Sequence, residues 1–350
     1  MRCSIPRAAW CSARPTTACR CRWPCSIGCS SPEVSEESLM IMHRSDQALA
    51  IRALRSAAPY IRMYKGKTFV VKAGGGVFAD PPATRVLVEQ IAILHHFGVR
   101  VVLVHGGGPQ LTELSAALGV PTRMVDGRRV TDQRSIDVTA MVLNGLINTR
   151  VLGLCRDLSI EAVGISGVDA GLVRAHKRAP VRVGADGELI DFGFVGDIDA
   201  VDTTVLRKLL DNGLMPVVSP LSADESGTLL NINADTVAAA LGAALQAEKL
   251  ILCTGAPGIL GSVADPRSLI SYTDLKGLKR LRDEGHIAAG MLPKAKAIED
   301  AIRGGVRRVH VVSYQSPEGI LGEVFTNEGT GTLIVADVNA LTPAEQQSTP

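Results

Sequence analysis

The sequence is poor in aromatic residues and carries almost no net charge. Phe, Trp and Tyr together make up 3% of its 350 residues, and the formal net charge is +2. A protein that binds nucleic acid usually shows a positively charged stripe, often with interleaved aromatic side chains, and the sequence contains no such stripe. The composition therefore argues against a nucleic-acid partner.

Long apolar runs and the common nucleotide-binding motifs are also missing. No uninterrupted apolar run reaches the roughly 18 residues that a membrane-spanning helix needs, so we expect no membrane span. The P-loop pattern G-x-x-x-x-G-K-[ST] is absent, and no G-x-G-x-x-G follows a strand with a suitable acidic residue downstream. These absences argue against a P-loop protein and against a dinucleotide-dependent oxidoreductase.

Cysteine is scarce outside the first 29 residues. Only Cys155 and Cys253 occur later, both in apolar segments, which is typical of a reduced, cytoplasmic protein without a disulfide framework. The first residues are rich in cysteine and arginine and contain no acidic residue before Glu33. We interpret residues 1–46 as a disordered leader or a mis-assigned start, with organellar import as the weaker alternative.

Two glycine turns stand out among the segments that are present. Val101–Pro109 (VVLVHGGGP) has the pattern of a buried strand, a glycine turn and the start of a helix. Thr68–Gly76 (TFVVKAGGG) has a similar strand and turn, with Lys72 at the end of the strand. Because backbone N–H groups in such turns can approach an anion, the two turns predict the handling of phosphate or carboxylate.

Strands alternate with helices from Thr68 to Val335, which predicts a mostly parallel α/β sheet in a three-layer αβα sandwich. Ligands of such sheets bind beyond the carboxyl ends of the strands. The same pattern predicts a helix at Gln47–Met63, a long helix at about Gln133–Asp157 and a polar loop after Ser219.

Five polar residues are candidates for chemistry, and each also has an ordinary structural explanation. Lys72 can act as a cation over a transferring phosphoryl group, or simply extend from a strand end into solvent. Arg129 can hold a carboxylate with two hydrogen bonds, or pair with a surface acid. Asn231 and Asp235 bracket a helix start, where such residues are common caps. Lys294 follows Gly-Met-Leu-Pro and can be a solvated first-turn lysine.

Taken together, these motifs resemble the amino-acid kinase family, and within it the N-acetylglutamate kinases, over roughly Gln47–Ile334. The stretches HGGGP, RVTD and NINAD, in this order and spacing, carry most of the resemblance. It implies the amino-acid kinase fold and ATP-dependent phosphorylation of the side-chain carboxylate of N-acetyl-L-glutamate, in arginine biosynthesis. It also implies Mg²⁺ that arrives with ATP and is held mainly by the nucleotide, with no metal site of the protein itself.

The resemblance also implies roles for individual residues. Lys72 and Lys294 would neutralise charge on the transferring phosphoryl group, and Asp235 would orient both lysines. The substrate would be bound by Gly106, Gly107, Gly108, Arg129 and Asn231. The phosphoryl group and ATP would be bound by Gly74, Gly75, Thr254, Gly255, Gly258, Gly290 and Met291.

The resemblance further divides the chain into parts. Residues 47–64 would form an N-terminal helix that can act as an oligomerisation arm. Residues 65–229 would form an N-lobe for acetylglutamate binding and dimerisation, residues 230–336 a C-lobe for the nucleotide, and residues 337–350 a tail. Arginine-sensitive members of the family interlace dimers into a hexamer through such a helix, so a homo-oligomer is expected. An arginine inhibitor would lie near Tyr60, Lys249, Glu323 and Gly329.

The sequence departs from the family pattern at several places, some near the predicted nucleotide and one that bears on the arginine inhibitor. Gly76 stands where the family often has Asn, Gly255 where it often has Asp, and Ser313-Tyr314-Gln315 where Asp-Gly-Arg is more usual. Two alternative functions stay open, and Gly255 suggests the second of them. One is a related carboxylate kinase with an aminoadipate-type acceptor, and the other is a non-catalytic subunit that senses an amino acid or a nucleotide.

Overall fold

A computed structural model describes residues 36–338, except residues 126, 184–186, 263–264, 266, 288 and 327–328. The predicted leader, residues 1–46, lies outside the described residues as far as residue 35. The predicted tail, residues 337–350, lies outside them from residue 339. Helix α1 (Glu36–Tyr64) contains the whole of the predicted helix and begins earlier, at Glu36. Residues up to Ala53 and residues from Leu54 onward form two separate units.

The remaining elements belong to the second unit. The strands are β1 (Thr68–Ala73), β2 (Arg100–His105), β3 (Arg123–Val125), β4 (Arg128–Val130), β5 (Ala162–Ser166), β6 (Val173–Lys177), β7 (Val181–Val183), β8 (Glu188–Ile190), β9 (Gly196–Val201), β10 (Met215–Ser219), β11 (Leu221–Ala223), β12 (Leu229–Asn231), β13 (Lys249–Thr254), β14 (Tyr272–Asp274), β15 (Arg308–Ser313) and β16 (Thr332–Val335). The helices are α2 (Pro81–His96), α3 (Gly108–Ala117), α4 (Gln133–Ala140), α5 (Asn148–Asp157), α6 (Thr204–Asp211), α7 (Ala234–Ala244), α8 (Leu275–Asp283), α9 (Leu292–Arg303) and α10 (Gly319–Phe325).

The predicted parallel sheet is confirmed. Eight strands form it in the order β14-β16-β15-β13-β1-β2-β10-β5, and every neighbouring pair is parallel except β15 with β16. Successive residues of β1 face opposite sides: Val70 lies in one core cluster with α7 and α9, and Phe69 lies in the other with α2 and α5. A strand buried on both faces reads as a continuous apolar run, which is how β1 and β2 appear in the sequence.

The polar loop predicted after Ser219 is wrong, because the segment contains two short strands. β11 and β12 pair antiparallel and join β6 and β9 in a second, four-stranded sheet. β11 and β12 are each three residues long, and each contains a polar residue. Ser222 is nevertheless buried, because its hydroxyl donates a hydrogen bond to the carbonyl oxygen of Val173. So short a mixed strand carries too little periodicity to be recognised.

The long helix predicted at Gln133–Asp157 is interrupted by a seven-residue π-helical segment, Met141–Ile147. The stretch is long and apolar enough to span a membrane by length and composition. However, Val142, Leu143 and Ile147 lie in the core of the second unit, and buried core helices pass the same test. A π turn shifts the helical register locally without changing the composition, so the sequence pattern does not reveal it.

Candidate active site

The two glycine turns lie side by side because β1 and β2 are adjacent parallel strands. The N–H of Gly106 donates to the carbonyl oxygen of Ala73 at 2.9 Å, and the Gln110 side chain donates to the carbonyl oxygen of Gly75 at 2.8 Å. A Cβ on Gly75 would lie 2.8 Å from the backbone nitrogen of Gly108, so this approach requires glycine. In the described part of the chain, the N–H groups of Gly75, Gly107 and Gly108 have no main-chain acceptor. They are available as donors to an anion.

A buried carboxylate joins two lysines next to these turns. Lys72 is the last residue but one of β1, and its Nζ lies 2.8 Å from Oδ1 of Asp235 in the first turn of α7. Lys294, in the first turn of α9, has its Nζ 3.5 Å from Oδ2 of the same carboxylate. Asn233 caps α7 by accepting a hydrogen bond from the N–H of Asp235 at 2.7 Å. The structure therefore brings together the three residues predicted for catalysis.

The charges of this group suit an anionic ligand. Burial raises the pKa of the Asp235 carboxyl, but attraction to Lys72 and then to Lys294 outweighs burial, so that this pKa is below its usual range. The carboxylate is thus ionised at neutral pH. With both lysines charged, the group carries one net positive charge. Lys72 is 5% exposed, which keeps its charge in a poorly screened environment.

The residues predicted to bind the substrate lie around the same turns. Arg129 on β4 is half-buried, and burial lowers its pKa. Its Nη2 donates to the hydroxyl of Thr112 at 2.7 Å and lies 3.5 Å from the carbonyl oxygen of Gly108. Asn231, at the end of β12, has its Nδ2 3.4 Å from the hydroxyl of Thr131. The RVTD and NINAD motifs therefore meet in space, although they are far apart in sequence.

The predicted nucleotide residues are only partly gathered. Gly74 lies next to Lys72, since a Cβ there would be 3.8 Å from Nζ. Thr254 ends β13, which is adjacent to β1, and its hydroxyl donates to the carbonyl oxygen of Ala256 at 2.9 Å. Gly258 instead packs tightly against Thr332 and Leu269. Among the described contacts, none joins Gly258, Gly290 or Met291 to Asp235 or its lysines.

The residues predicted for an arginine inhibitor form a separate buried network. The Nζ of Lys249 donates to Nε2 of His310 at 2.9 Å, and Nδ1 of His310 donates to Glu323 at 2.7 Å. Gly329 has a φ of 65°, and a Cβ there would lie 2.9 Å from Oε2 of Glu323. Tyr60 joins the same region through an edge-to-face contact with Phe325, with ring centroids 6.5 Å apart.

Burial and hydrogen bonds together determine the pKa values in this network. It lowers the pKa of Lys249 to about 7 and that of His310 to about 4, which leaves the imidazole neutral. Burial works against ionisation of Glu323, but the hydrogen bond from His310 and those from Thr330 and Gly331 lower its pKa to about 2. The sequence analysis missed His310. Its only local signal is one polar residue inside an apolar strand.

No group of three or more His, Cys, Asp or Glu side chains among the described residues is arranged to hold a metal ion. Cysteine binds a metal ion as the thiolate. Burial raises the pKa of the Cys155 thiol to about 11 and that of the Cys253 thiol to about 12. Both thiols are therefore protonated at neutral pH.

Known proteins resemble this chain over most of its length. The model of the amino acid kinase family matches residues 67–313. The acetylglutamate kinase of Myxococcus xanthus is 49% identical over 296 residues, which are 83% of this chain and 96% of the relative. That of Symbiobacterium thermophilum is 41% identical over 282 residues, 81% of this chain and 96% of the relative.

Solved structures show the same fold. N-acetylglutamate synthase from Neisseria gonorrhoeae, in complex with coenzyme A and N-acetyl-glutamate, superimposes with a TM-score of 0.71 at 28% identity. The match covers 82% of this chain but 64% of that protein, so this chain spans less than two thirds of its length. Carbamate kinase from Giardia lamblia, at 19% identity and a TM-score of 0.54, shares the fold; the match covers 78% of this chain and 99% of that one.

Proposed function

The chain belongs to the amino acid kinase family, and from that membership we propose that it phosphorylates the side-chain carboxylate of N-acetyl-L-glutamate. The phosphoryl donor is ATP, the products are N-acetyl-L-glutamyl 5-phosphate and ADP, and the reaction belongs to arginine biosynthesis. The observation that carries the proposal is the buried Asp235 between Lys72 and Lys294, beside two glycine turns, in a chain 49% identical to a protein named acetylglutamate kinase.

The reaction needs positioning and charge neutralisation rather than a strong base. A carboxylate oxygen of the acceptor forms a bond to the γ-phosphorus, while the bond from that phosphorus to the β,γ-bridging oxygen breaks and its electron pair leaves with ADP. The nucleophile is already an anion, so no proton has to be removed from it. Lys72 and Lys294 offset the negative charge that gathers around the transferring group, and Asp235 holds both ammonium groups in place.

The acceptor lies on the N-lobe side of the sheet. Arg129 pairs with the α-carboxylate of the acceptor beside Gly108, and Asn231 binds the acceptor from the end of β12. The N–H groups of Gly107 and Gly108 bind oxygens of the acceptor or of the phosphoryl group. Residues 65–229 form this lobe and its dimer contact.

The nucleotide lies on the C-lobe side, over residues 230–336. Thr254 ends β13, Gly255 and Gly258 follow it, and Gly290 and Met291 precede α9. Gly74 and Gly75 contact the phosphoryl end. ATP enters as its Mg²⁺ complex, in which the phosphates supply most of the metal ligands.

The test is ATP-dependent formation of an acyl phosphate by the full chain, trapped with hydroxylamine. N-acetyl-L-glutamate is compared with glutamate, aspartate and N-acetyl-aminoadipate, and Lys72→Ala is the control. We expect selective turnover of N-acetyl-L-glutamate that the substitution abolishes. Selective turnover of N-acetyl-aminoadipate would identify the related carboxylate kinase, and ligand binding without turnover would identify a sensing subunit.

Regulation and assembly follow the same family pattern. Arginine binds near Lys249, Glu323, Gly329 and Tyr60 and inhibits the enzyme, and helix α1 joins dimers into a larger homo-oligomer. Three features support the inhibitor site. Lys249 and Glu323 are buried, the Glu323 carboxylate accepts hydrogen bonds from the N–H groups of Thr330 and Gly331, and Gly329 lies beside that carboxylate. Activity that is unchanged at millimolar arginine would refute it. The cytoplasmic location stays a prediction.

A further inference from the structure

Tyr314 connects three neighbouring strand ends next to the candidate site. It follows β15, and its N–H donates to the carbonyl oxygen of Thr254, at the end of β13, at 2.9 Å. The side chain reaches one strand further. A Cβ on Gly255 would lie 3.5 Å from its hydroxyl oxygen, and a Cβ on Gly76 would lie 2.9 Å from the same atom. Since β13 pairs with β15 on one side and with β1 on the other, the tyrosine spans from β15 to the turn after β1.

A Cβ at position 76 would come too close to the Tyr314 hydroxyl, whereas a Cβ at position 255 would make an ordinary van der Waals contact with the same side chain. A Cβ on Gly76 would lie 3.6 Å from Cζ of Tyr314, and a Cβ on Gly255 would lie 3.8 Å from Cζ and from Cε1. The Tyr314 side chain therefore lies against the turn 74–76 and beside Gly255.

We propose that Tyr314 is a positioning residue for the nucleotide, a role that rests on the kinase function proposed above. Its ring sets the separation between the turn 74–76 and the turn 254–255. These turns lie at the carboxyl ends of the adjacent parallel strands β1 and β13, where ligands of such sheets bind. Phosphoryl transfer depends chiefly on positioning, and a displacement of about 1 Å can cost about 10²-fold in rate.

The test is steady-state kinetics of the full chain with Tyr314→Ala, Tyr314→Phe and, as a matched control, the exposed neighbour Gln315→Ala. We expect Tyr314→Ala to raise the KM for ATP by about tenfold or more, while the KM for N-acetyl-L-glutamate changes by less than about twofold. Tyr314→Phe keeps the ring and should stay within about threefold of the wild type, as should Gln315→Ala.

Three results would overturn the proposal. The first is a KM for ATP within about twofold of wild type in Tyr314→Ala. The second is an equal rise of both KM values, which indicates a merely structural role. The third is a loss in Tyr314→Phe as large as in Tyr314→Ala, because the ring alone is expected to set the separation.

A double-mutant cycle tests the contact itself. Gly76→Ala places a methyl group against the tyrosine and should lower kcat/KM for ATP in the wild type, but much less in the Tyr314→Ala background. Additive effects would refute the contact. A wild type that binds ATP but does not turn over would refute the kinase function alone. Calorimetric titration of ATP into the same variants would then decide the role of Tyr314 by the same comparison.

Discussion

Lys294 and Lys296 lie two residues apart on α9 but have different partners. The Nζ of Lys294 is 3.5 Å from the buried Asp235, whereas Lys296 pairs with the exposed Asp300 at 3.2 Å. We expect Lys294→Ala to lower kcat by about 10²-fold or more with a small change in the KM for N-acetyl-L-glutamate, because the lost charge acts mainly in the transition state. Lys296→Ala should keep full activity in the hydroxylamine assay. Equal losses in the two variants would contradict this assignment.

Gly107 and Gly108 are neighbours in one turn but tolerate a side chain differently. A Cβ on Gly107 would lie 2.5 Å from Cδ1 of Ile147 and 2.8 Å from Cδ2 of Leu143, whereas a Cβ on Gly108 would meet nothing within 4 Å. Gly107→Ala should therefore lower the free energy of unfolding by about 1–3 kcal/mol, and Gly108→Ala should change it by about 0.5 kcal/mol or less. Urea unfolding measures both, and similar values for the two variants would argue against the packing described.

Residues could be predicted where a local pattern carries the signal. The positions of Lys72 at a strand end and of Asp235 at a helix start identify both as candidates. In the structure, Nζ of Lys72 lies 2.8 Å from Oδ1 of Asp235. His310 and Tyr314 could not be predicted, because their roles depend on partners brought near by the fold. Lys249 is 61 residues from His310, and no local pattern encodes that contact.

At the scale of elements, the long buried strands were predictable and the short or irregular elements were not. β1, β2, β13 and β15 are six residues long with a mainly apolar interior, and the two glycine-turn segments singled out in the sequence contain β1 and β2. The three-residue strands β11 and β12 have too few residues for a period. The π segment at Met141–Ile147 lies just before Asn148, whose side chain donates to the carbonyl oxygen of Val217, and no local sequence pattern marks it.

The network that ties β13, β15 and α10 together predicts a pH-dependent stability. The pKa of Lys249 is about 7 in the folded protein and 10.5 as the ordinary value. Between these values the unfolded chain keeps a proton that the folded chain has lost. Raising the pH therefore favours folding, with a slope of up to about 1.4 kcal/mol per pH unit from this group.

Lys249→Met isolates this effect. We expect the free energy of unfolding to rise between pH 7 and 8.5 more steeply in the wild type than in Lys249→Met, as measured by urea unfolding. Lys276 is an exposed lysine on α8, so Lys276→Met should keep the wild-type slope. A wild-type slope in Lys249→Met would mean that Lys249 is not the group that titrates.

At the scale of the whole molecule, the residues proposed for chemistry lie in one unit, and most of the N-terminal helix α1 lies in the other. Every residue proposed for catalysis, substrate or inhibitor lies from Tyr60 onward, in the unit that begins at Leu54. In the other unit, Leu49 and Ile51 of α1 are 62% and 55% exposed. Exposed large apolar side chains on an amphipathic helix are typical of a surface that another subunit covers.

This division predicts that assembly and catalysis can be separated. Removal of residues 1–53 should reduce the number of subunits per particle, as calculated from the mass measured by light scattering. We expect kcat to stay within about threefold of the value for the full chain, because the chemistry does not use these residues. In the full chain, Leu49→Glu and Ile51→Glu together should have the same effect on mass, and Gln47→Glu, an exposed polar neighbour on the same helix, should have none. If the double variant keeps the wild-type mass, these apolar residues do not hold subunits together. If the shortened chain loses turnover as well, the helix contributes to catalysis, and the separation is wrong.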